Sequence, residues 1–160
     1  MSSVTLRPIV ESDLEALFEF QLDPEANTLA AVNPRDRTTF FALFAKILAD
    51  PTVAARAIVS DGLLVGSISV FTMDGLDSVG YWIGREHWGK GFATRAVALL
   101  LQEIPKRPLH ARVAAHNAPS LRVLQRNGFV ITGHRRSPAT ERFHECEEAI
   151  LILTGRAGPP

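Results

Sequence analysis

The chain has 160 residues, of which 46% are hydrophobic and 21% are charged, with 17 Lys and Arg against 17 Asp and Glu. This length fits one domain, and the hydrophobic share is large enough for a packed core, which excludes a disordered chain. The neutral charge balance excludes a broad basic surface for direct nucleic-acid binding, although it leaves room for a local patch.

Cysteine content and the chain ends indicate where the protein works. Cys146 is the only cysteine, so no disulfide can form within the chain. The first residues lack a basic region followed by an apolar stretch, and no apolar run approaches a membrane span. We therefore expect a cytoplasmic protein with no membrane partner, in which residues 1–154 form a single domain and the tail 155–160 is disordered.

The first 50 residues are predicted to form one strand and two helices. Thr5–Pro8 is a short strand closed by proline. Ser12–Glu15 has the pattern of a capping box and predicts the start of the first helix. A second helix is predicted to start at Asn33, with Pro34 in the first helical position, and to end at Asp50 because a proline follows.

Three apolar, β-branched segments come next, and short turns separate them. The segments are Arg56–Ser60, Leu63–Phe71 and Val79–Ile83. The pair Asp61-Gly62 between the first two is a strong hairpin signal, and Asp74-Gly75 marks the second break. We predict an antiparallel meander.

The second half alternates helices and strands. A helical stripe runs from Ala93 to Ile104, the strand Leu109–Ala115 follows, and Pro119 opens a short helix that Gly128 closes as a left-handed cap. The last two strands are predicted at Phe129–Thr132 and Ala149–Leu153. This order predicts a mixed α/β (α+β) fold, with a central twisted sheet of about seven strands and helices on both faces.

The glycine-rich segment Gly84–Thr94 joins a strand to a helix. Gly89 and Gly91 let the backbone approach a ligand closely, and the first helical amides have no internal partners, so the segment can bind phosphate. Lys90 could add charge at its edge. A Walker loop is excluded because Gly91 follows the lysine, and the dinucleotide fingerprint is excluded because Thr94 replaces its third glycine. An ordinary tight turn is the alternative.

Three segments together resemble the GNAT N-acetyltransferases. They are Gly80–Ile83, Trp88–Thr94 and Asn117–Phe129, and they occur in the order and spacing of that family. The resemblance is greatest to the branch of the ribosomal-protein alanine N-acetyltransferases RimJ and RimL. It implies acetyl-CoA as the cofactor and an amine as the acceptor.

The resemblance also implies the roles of individual residues. The strand of Val79 would splay from the strand of Leu109 to admit the pantetheine arm, and Gly80 would form a bulge. Asn117 would bind the pantetheine region, Ser120 would lie near the sulfur, and Arg126 would touch a nucleotide phosphate. The full set implied to bind the cofactor is Trp82, Ile83, Trp88, Gly89, Lys90, Gly91, Phe92, Ala93, Thr94, Asn117, Ser120 and Arg126.

The sequence departs from the family at the positions of the acid and the base. Ser78 stands where many members have a strand Glu, and Tyr81, in a strand, is the only tyrosine, so the usual tyrosine acid is missing. Ser120 is then the candidate acid, or a helix-capping residue, and Glu141 is the candidate base, or a solvated loop charge. Weak evidence for a base favours an α-amine, whose pKa is about 7.7–8.0, over a lysine amine near 10.4.

Several alternatives remain open. The acceptor is either a protein N-terminus or a small-molecule amine, and the protein is either a monomer or a homodimer. A non-catalytic acyl-CoA sensor is the competing function, motivated by the missing Glu and Tyr. No metal site is expected, because His134, His144 and Cys146 match no standard ligand spacing.

Overall fold

The computed structural model describes residues 3–155, in which a single seven-stranded mixed sheet carries five α-helices. The strands are β1 (Thr5–Pro8), β2 (Ala54–Ser60), β3 (Leu63–Met73), β4 (Leu76–Ile83), β5 (Leu109–Ala114), β6 (Val130–Ser137) and β7 (Cys146–Leu153). The helices are α1 (Leu14–Phe20), α2 (Pro24–Ala30), α3 (Arg37–Ala49), α4 (Phe92–Glu103) and α5 (Ala118–Arg126). Residues 156–160 of the predicted tail lie outside the described part of the chain.

The sheet order is β1-β2-β3-β4-β5-β7-β6, and only the β4–β5 pair is parallel. The predicted meander of β2, β3 and β4 is confirmed. Its turns at Asp61-Gly62 and Asp74-Gly75 have positive φ at both residues, as a two-residue hairpin with the right-handed strand twist requires. The predicted α/β class is therefore confirmed.

Alternating side chains of the sheet build a core on each face. On β2, Ile58 packs into the larger core with α4, whereas its neighbour Ala57 packs into a second core. That second core contains Phe18 of α1 and Phe40 of α3, whose ring centroids lie 5.5 Å apart. Because neighbouring strand residues face opposite sides, the helices cover both faces of the sheet, as predicted.

The N-terminal region differs from the prediction because α2 was missed. The carboxylate of Asp23 accepts a hydrogen bond from the Ala26 amide at 2.9 Å, with Pro24 in the first helical position. The helix ends at Ala31, which adopts a left-handed conformation with φ of 56°. Seven residues with few apolar positions give too short a pattern for helical periodicity to identify.

The predicted start of the next helix at Asn33 is wrong. Helix α3 begins at Arg37, because Asp36 caps it by accepting the Thr39 amide at 2.8 Å. Pro34 therefore lies in the loop before the helix rather than in its first turn.

The capping box expected at Ser12–Glu15 does not form. Instead, Asp13 accepts the Val10 amide at 2.9 Å and pairs with Arg7 at 2.7 Å. Glu15 pairs with Arg37 at 2.7 Å, so its carboxylate is not available to cap the helix.

The last hairpin is longer than predicted. Strand β6 continues to Ser137 and β7 begins at Cys146, with one register irregularity between Ile131 and Gly133. The extensions carry charged pairs such as Arg135 with Glu148 at 3.6 Å. Apolar alternation is therefore missing from these residues, and the sequence pattern does not reveal them.

Strands β4 and β5 diverge, as the family resemblance implied. They pair at one position only, Ser78 with His110, and the sheet opens toward the C-terminal end of β4. The bulge expected at Gly80 is absent, because the register between β3 and β4 is continuous there. The glycine serves packing instead, since an added Cβ would lie 3.1 Å from the Phe71 ring.

Candidate active site

A cavity of about 590 Å³ opens where β4 and β5 diverge. This volume is in the range of small-molecule and cofactor sites. Its walls are the end of β4, the first turn of α4, the helix α5 and part of α2. It brings together eleven of the thirteen residues predicted from the sequence: Trp82, Ile83, Trp88, Gly89, Gly91, Phe92, Ala93, Thr94, Asn117, Ser120 and Arg126.

The glycine-rich turn presents unpaired backbone amides to this cavity. Gly89 and Gly91 both have φ of +77°, and Gly91 is the N-cap residue of α4. Among residues 3–155, no protein acceptor receives the amides from Gly89 to Thr94, whereas the next amide, of Arg95, bonds to the Gly91 carbonyl. These amides point outward from a helix N-terminus, where the helix dipole favours an anion.

Side chains around the turn hold its carbonyl groups in place. The Trp88 indole donates to the Ile83 carbonyl at 2.9 Å, and the Arg85 guanidinium lies 5.4 Å from the Trp88 ring centre. The Arg95 guanidinium donates to the Lys90 carbonyl at 3.0 Å. The turn is therefore fixed without using its amide groups, so an anion could bind there with little rearrangement.

Helix α5 adds cationic side chains to the same cavity. Arg122 and Arg126 are four residues apart, so they lie on one helix face, and both line the cavity. Only Arg126 was predicted from the sequence. The helical spacing of the two arginines could have revealed Arg122 as well. Together with the free amides, two exposed guanidiniums fit a multiply charged phosphate ligand.

Asn117 performs the capping role that the sequence allowed for it. Its side-chain oxygen accepts the Ser120 amide at 3.4 Å, at the start of α5. In the part of the chain that the structure describes, its amide group has no protein acceptor, so it is available to a ligand. Capping and ligand binding are thus compatible at this residue.

Ser120 is hydrogen bonded to a residue that the sequence analysis set aside. The hydroxyl groups of Tyr81 and Ser120 lie 2.6 Å apart. Burial raises the pKa of Tyr81 to about 12, and the bond to Ser120 opposes this rise. Tyr81 lies on β4 and Ser120 on α5, so their contact spans the divergence of β4 and β5 and places two protonated hydroxyls in the cavity wall.

The remaining wall comes from the N-terminal region. Ala26, Leu29 and Ala30 of α2 line the cavity, and none of them was predicted. The Trp82 indole donates to the Phe20 carbonyl at 3.1 Å, which attaches the end of α1 to β4. An added Cβ at Gly84 would lie 2.7 Å from the Phe20 ring, so this glycine allows the two segments to approach.

Two predicted residues are not brought to the cavity. Lys90 is exposed at the top of the turn, and Glu141 is exposed in the loop between β6 and β7. The main chain of Glu141, rather than its carboxylate, is engaged: its carbonyl accepts the Asn33 side chain at 3.0 Å.

Comparison with known proteins identifies the family. The sequence model of the acetyltransferase (GNAT) domain matches residues 3–130. The chain belongs to the GNAT acetyltransferase family. A relative, the uncharacterized N-acetyltransferase p20 of Bacillus licheniformis, is 25% identical over 139 residues, covering 79% of this chain and 78% of that protein. As a member of this family, the chain is an N-acetyltransferase. Because GNAT proteins use acetyl-CoA, acetyl-CoA is its cofactor.

Solved structures with the GNAT fold superimpose along most of the chain. Spermidine N-acetyltransferase from Vibrio cholerae, in complex with CoA and spermine, has a TM-score of 0.81 at 18% identity and covers 94% of this chain and 95% of its own. RimJ from Mycobacterium smegmatis, in complex with CoA-disulfide, has a TM-score of 0.79 at 22% identity and covers 98% of this chain and 84% of its own. These likenesses support the fold.

The cavity of this GNAT domain suits coenzyme A on its own geometry. The diphosphate would be held by the amides of Gly89–Thr94 with Arg122 and Arg126 beside them, and the gap between β4 and β5 offers a narrow path for the pantetheine arm. Within residues 3–155, no group of three His, Cys, Asp or Glu side chains could hold a metal ion, and no helix is long and apolar enough to cross a membrane.

Proposed function

We propose that this acetyltransferase moves the acetyl group directly from the thioester to a primary amine, either of a small molecule or of a protein N-terminus. The observation that carries the proposal is the Tyr81–Ser120 hydroxyl pair, which lies in the same cavity as the unpaired amides of the phosphate-binding turn. Acetyl-CoA supplies an activated acyl group, so the protein needs only to position the amine and to manage protons.

Ser120, at the cavity wall, is the proposed proton donor to the CoA thiolate, which leaves when the carbon–sulfur bond of the thioester breaks and the amide bond forms. Its hydroxyl can donate into the cavity while accepting from Tyr81, since the 2.6 Å contact allows either oxygen to be the donor. Because the Tyr81 pKa is raised to about 12, this phenol stays protonated at neutral pH and can orient the Ser120 hydroxyl. The pair thus supplies a proton donor without the family's usual tyrosine.

The proposed base remains Glu141, but its exposure means that it can act only through solvent. An α-amine has a pKa of about 7.7–8.0 and is partly neutral near pH 7. A lysine amine has a pKa about 3 units above neutral pH, so it needs a base to remove its proton. A weak base at this site therefore supports an acceptor of low pKa. The motifs Trp88–Thr94 and Asn117–Phe129 resemble those of the RimJ/RimL branch, whose named substrates are protein α-amines. This resemblance supports an α-amine as the acceptor.

A thiol-release assay with an amine panel tests the proposal. The panel contains amino acids, short peptides with free N-termini and polyamines, and acetyl-CoA binding is followed in parallel by thermal stabilisation. We expect stabilisation by acetyl-CoA together with amine-dependent release of CoA. Stabilisation without release above the blank would favour a non-catalytic acyl-CoA sensor, and the absence of stabilisation would contradict both functions.

A further inference from the structure

Two segments that are distant in the sequence meet at the C-terminal end of α2. We call residues 31–36 and 140–144 the loop junction. The Asn33 amide donates to the Arg142 carbonyl at 2.7 Å, and an Arg142 guanidinium nitrogen donates to the Asn33 carbonyl. Ala30, the last residue of α2, lines the cavity, and the junction begins at the next residue, so it follows directly on the cavity wall in the chain.

The junction contains two half-buried arginines that lack anionic partners. Over residues 3–155, neither Arg35 nor Arg142 forms an ion pair with a carboxylate, and the Arg35 guanidinium has no hydrogen bond. The Nε atom of Arg142 is buried and has no acceptor. Burial lowers the pKa of both residues, and for Arg142 burial and then the charge of Arg35 lower it to about 10.

Hydrogen bonds fix the backbone of Arg35, although its side chain has no anionic partner among the described residues. Gln21 donates to the Arg35 carbonyl at 2.9 Å and accepts the Arg35 amide at 2.7 Å, so the backbone carrying this arginine is fixed from both sides. Buried guanidiniums are normally paired, because an unpaired charge removed from water is costly. Two cations fixed near each other without a counterion indicate that the counterion comes from a ligand.

Neighbouring carboxylates do not fill this role. Glu141 precedes Arg142 in the chain, but its side chain is exposed and pairs with neither arginine. The carboxylate of Asp36 is used to cap helix α3. Glu145 pairs with Arg136 on the β6–β7 hairpin.

We propose that Arg35 and Arg142 bind the oxyanion of the acceptor, so that the substrate is a small amine carrying a carboxylate or a phosphate. The inference rests on the proposed acetyl transfer and specifies its acceptor. A guanidinium offers a planar set of donors that matches the geometry of carboxylate and phosphate. The same pair would repel a polycation, so this chain differs in acceptor from the spermidine enzyme that shares its fold.

Anion binding can be measured without turnover. Protein saturated with CoA, so that the phosphate-binding turn is filled, is titrated with inorganic phosphate and followed by calorimetry. Arg35→Gln is the principal variant because its guanidinium makes no bond that the fold needs. We expect affinity for phosphate to fall at least tenfold in this variant, while Arg136→Gln, which removes an equal charge from the nearby hairpin, leaves it unchanged.

Thermal stability separates a ligand site from a structural pair. Without phosphate, Arg35→Gln should melt at the same or a higher temperature than the parent, because it removes a half-buried charge that pairs with no carboxylate of residues 3–155. A lower melting temperature, with phosphate affinity unchanged, would overturn the proposal. Failure of the CoA-loaded parent to bind phosphate at millimolar concentrations would also overturn it.

Acetylation of matched amines tests the acceptor itself. The kcat/KM for glycylglycine, which has an α-amine of low pKa, is compared with that for its C-terminal amide, which lacks the carboxylate, in the parent and in Arg35→Gln and Arg142→Lys. The pKa values of the two amines are the same whichever protein is assayed. A change between parent and variant in the ratio of kcat/KM for the carboxylate over that for the amide therefore reports on the arginines alone. We expect the ratio to fall at least tenfold in Arg35→Gln and to be partly retained in Arg142→Lys, which keeps the charge.

The outcomes distinguish this inference from the proposed function. Equal ratios in parent and Arg35→Gln, with both amines acetylated, would refute the anion site and leave acetyl transfer standing. Phosphate binding that depends on Arg35, with no amine acetylated, would support the anion site and contradict the transferase proposal.

Discussion

The two sides of the cavity are built in different ways. The proposed phosphate-binding side presents backbone amides of one continuous segment, Gly89–Thr94, placed by local turn geometry. The proposed acceptor side consists of side chains and loops that meet only after folding, with bonds between residues 108 to 111 positions apart such as Asn33 with Glu141 and with His144. Chemistry carried by local backbone geometry leaves a motif in the sequence, whereas chemistry assembled by distant contacts does not.

Gly91→Val should give the largest effect, because it breaks the phosphate-binding side alone. A side chain here would point toward the proposed phosphate position, and its nearest protein atom, on Arg95, is 4.0 Å away, so the crowding would fall on the ligand. We expect CoA affinity to fall about 100-fold or more, corresponding to at least about 2.7 kcal/mol. Calorimetric titration with CoA measures it.

Gly75→Val is a matched control for this variant. Gly75 has φ of +76°, almost the same as Gly91, and no atom lies within 4 Å of its added Cβ. Both variants bear the backbone strain of a β-branched residue in the left-handed region. If Gly91→Val is folded and binds CoA as tightly as Gly75→Val, the turn does not bind the phosphates.

The same contrast explains how much of the structure could be predicted. The meander, helix α4 and the closing Gly128 follow from periodicity and turn residues, which act within a few positions of each other. Helix α2 was missed because its signal is an Asp23 cap without an apolar stripe. Tyr81 was set aside because its partner Ser120 is 39 positions away and no local pattern links them.

Ser120→Ala should have the next largest effect, because it removes the group that joins the two sides. A positioned proton donor typically contributes about 10²- to 10⁴-fold to the rate, but a thiolate leaves readily because its pKa is low, so we expect kcat to fall by about 30-fold with CoA affinity unchanged. Tyr81→Phe should lower kcat less, because Ser120 remains. Steady-state kinetics measures kcat, and titration with CoA measures the affinity.

The double variant provides the decisive comparison for this pair. Because Tyr81 acts through Ser120, adding Tyr81→Phe to Ser120→Ala should cost little further activity. Multiplicative losses in kcat would show that the two hydroxyls act independently.

Replacing Arg122 and Arg126 by Gln together should weaken CoA binding by about tenfold. Both are exposed, so each contributes through a screened charge-assisted bond of about 1 kcal/mol or less. The effect should shrink as ionic strength rises, which titrations at two salt concentrations would detect. Lys46→Gln, which removes one positive charge from α3, should have no effect, and a loss that is independent of salt would contradict the electrostatic role.

Glu141→Gln should give the smallest effect and tests the acceptor side. The Glu141 carboxylate is exposed and pairs with no side chain of residues 3–155, so it can relay a proton only through water, and we expect kcat near pH 7 to fall about threefold with CoA binding unchanged. The deficit should disappear above about pH 8, where an α-amine is already neutral, but persist to higher pH if the acceptor is lysine-like. A pH profile of kcat measures this, and Glu145→Gln, an exposed carboxylate on the same loop, is the control. Equal losses in the two variants would show that the loop charge matters and that Glu141 has no role as a base.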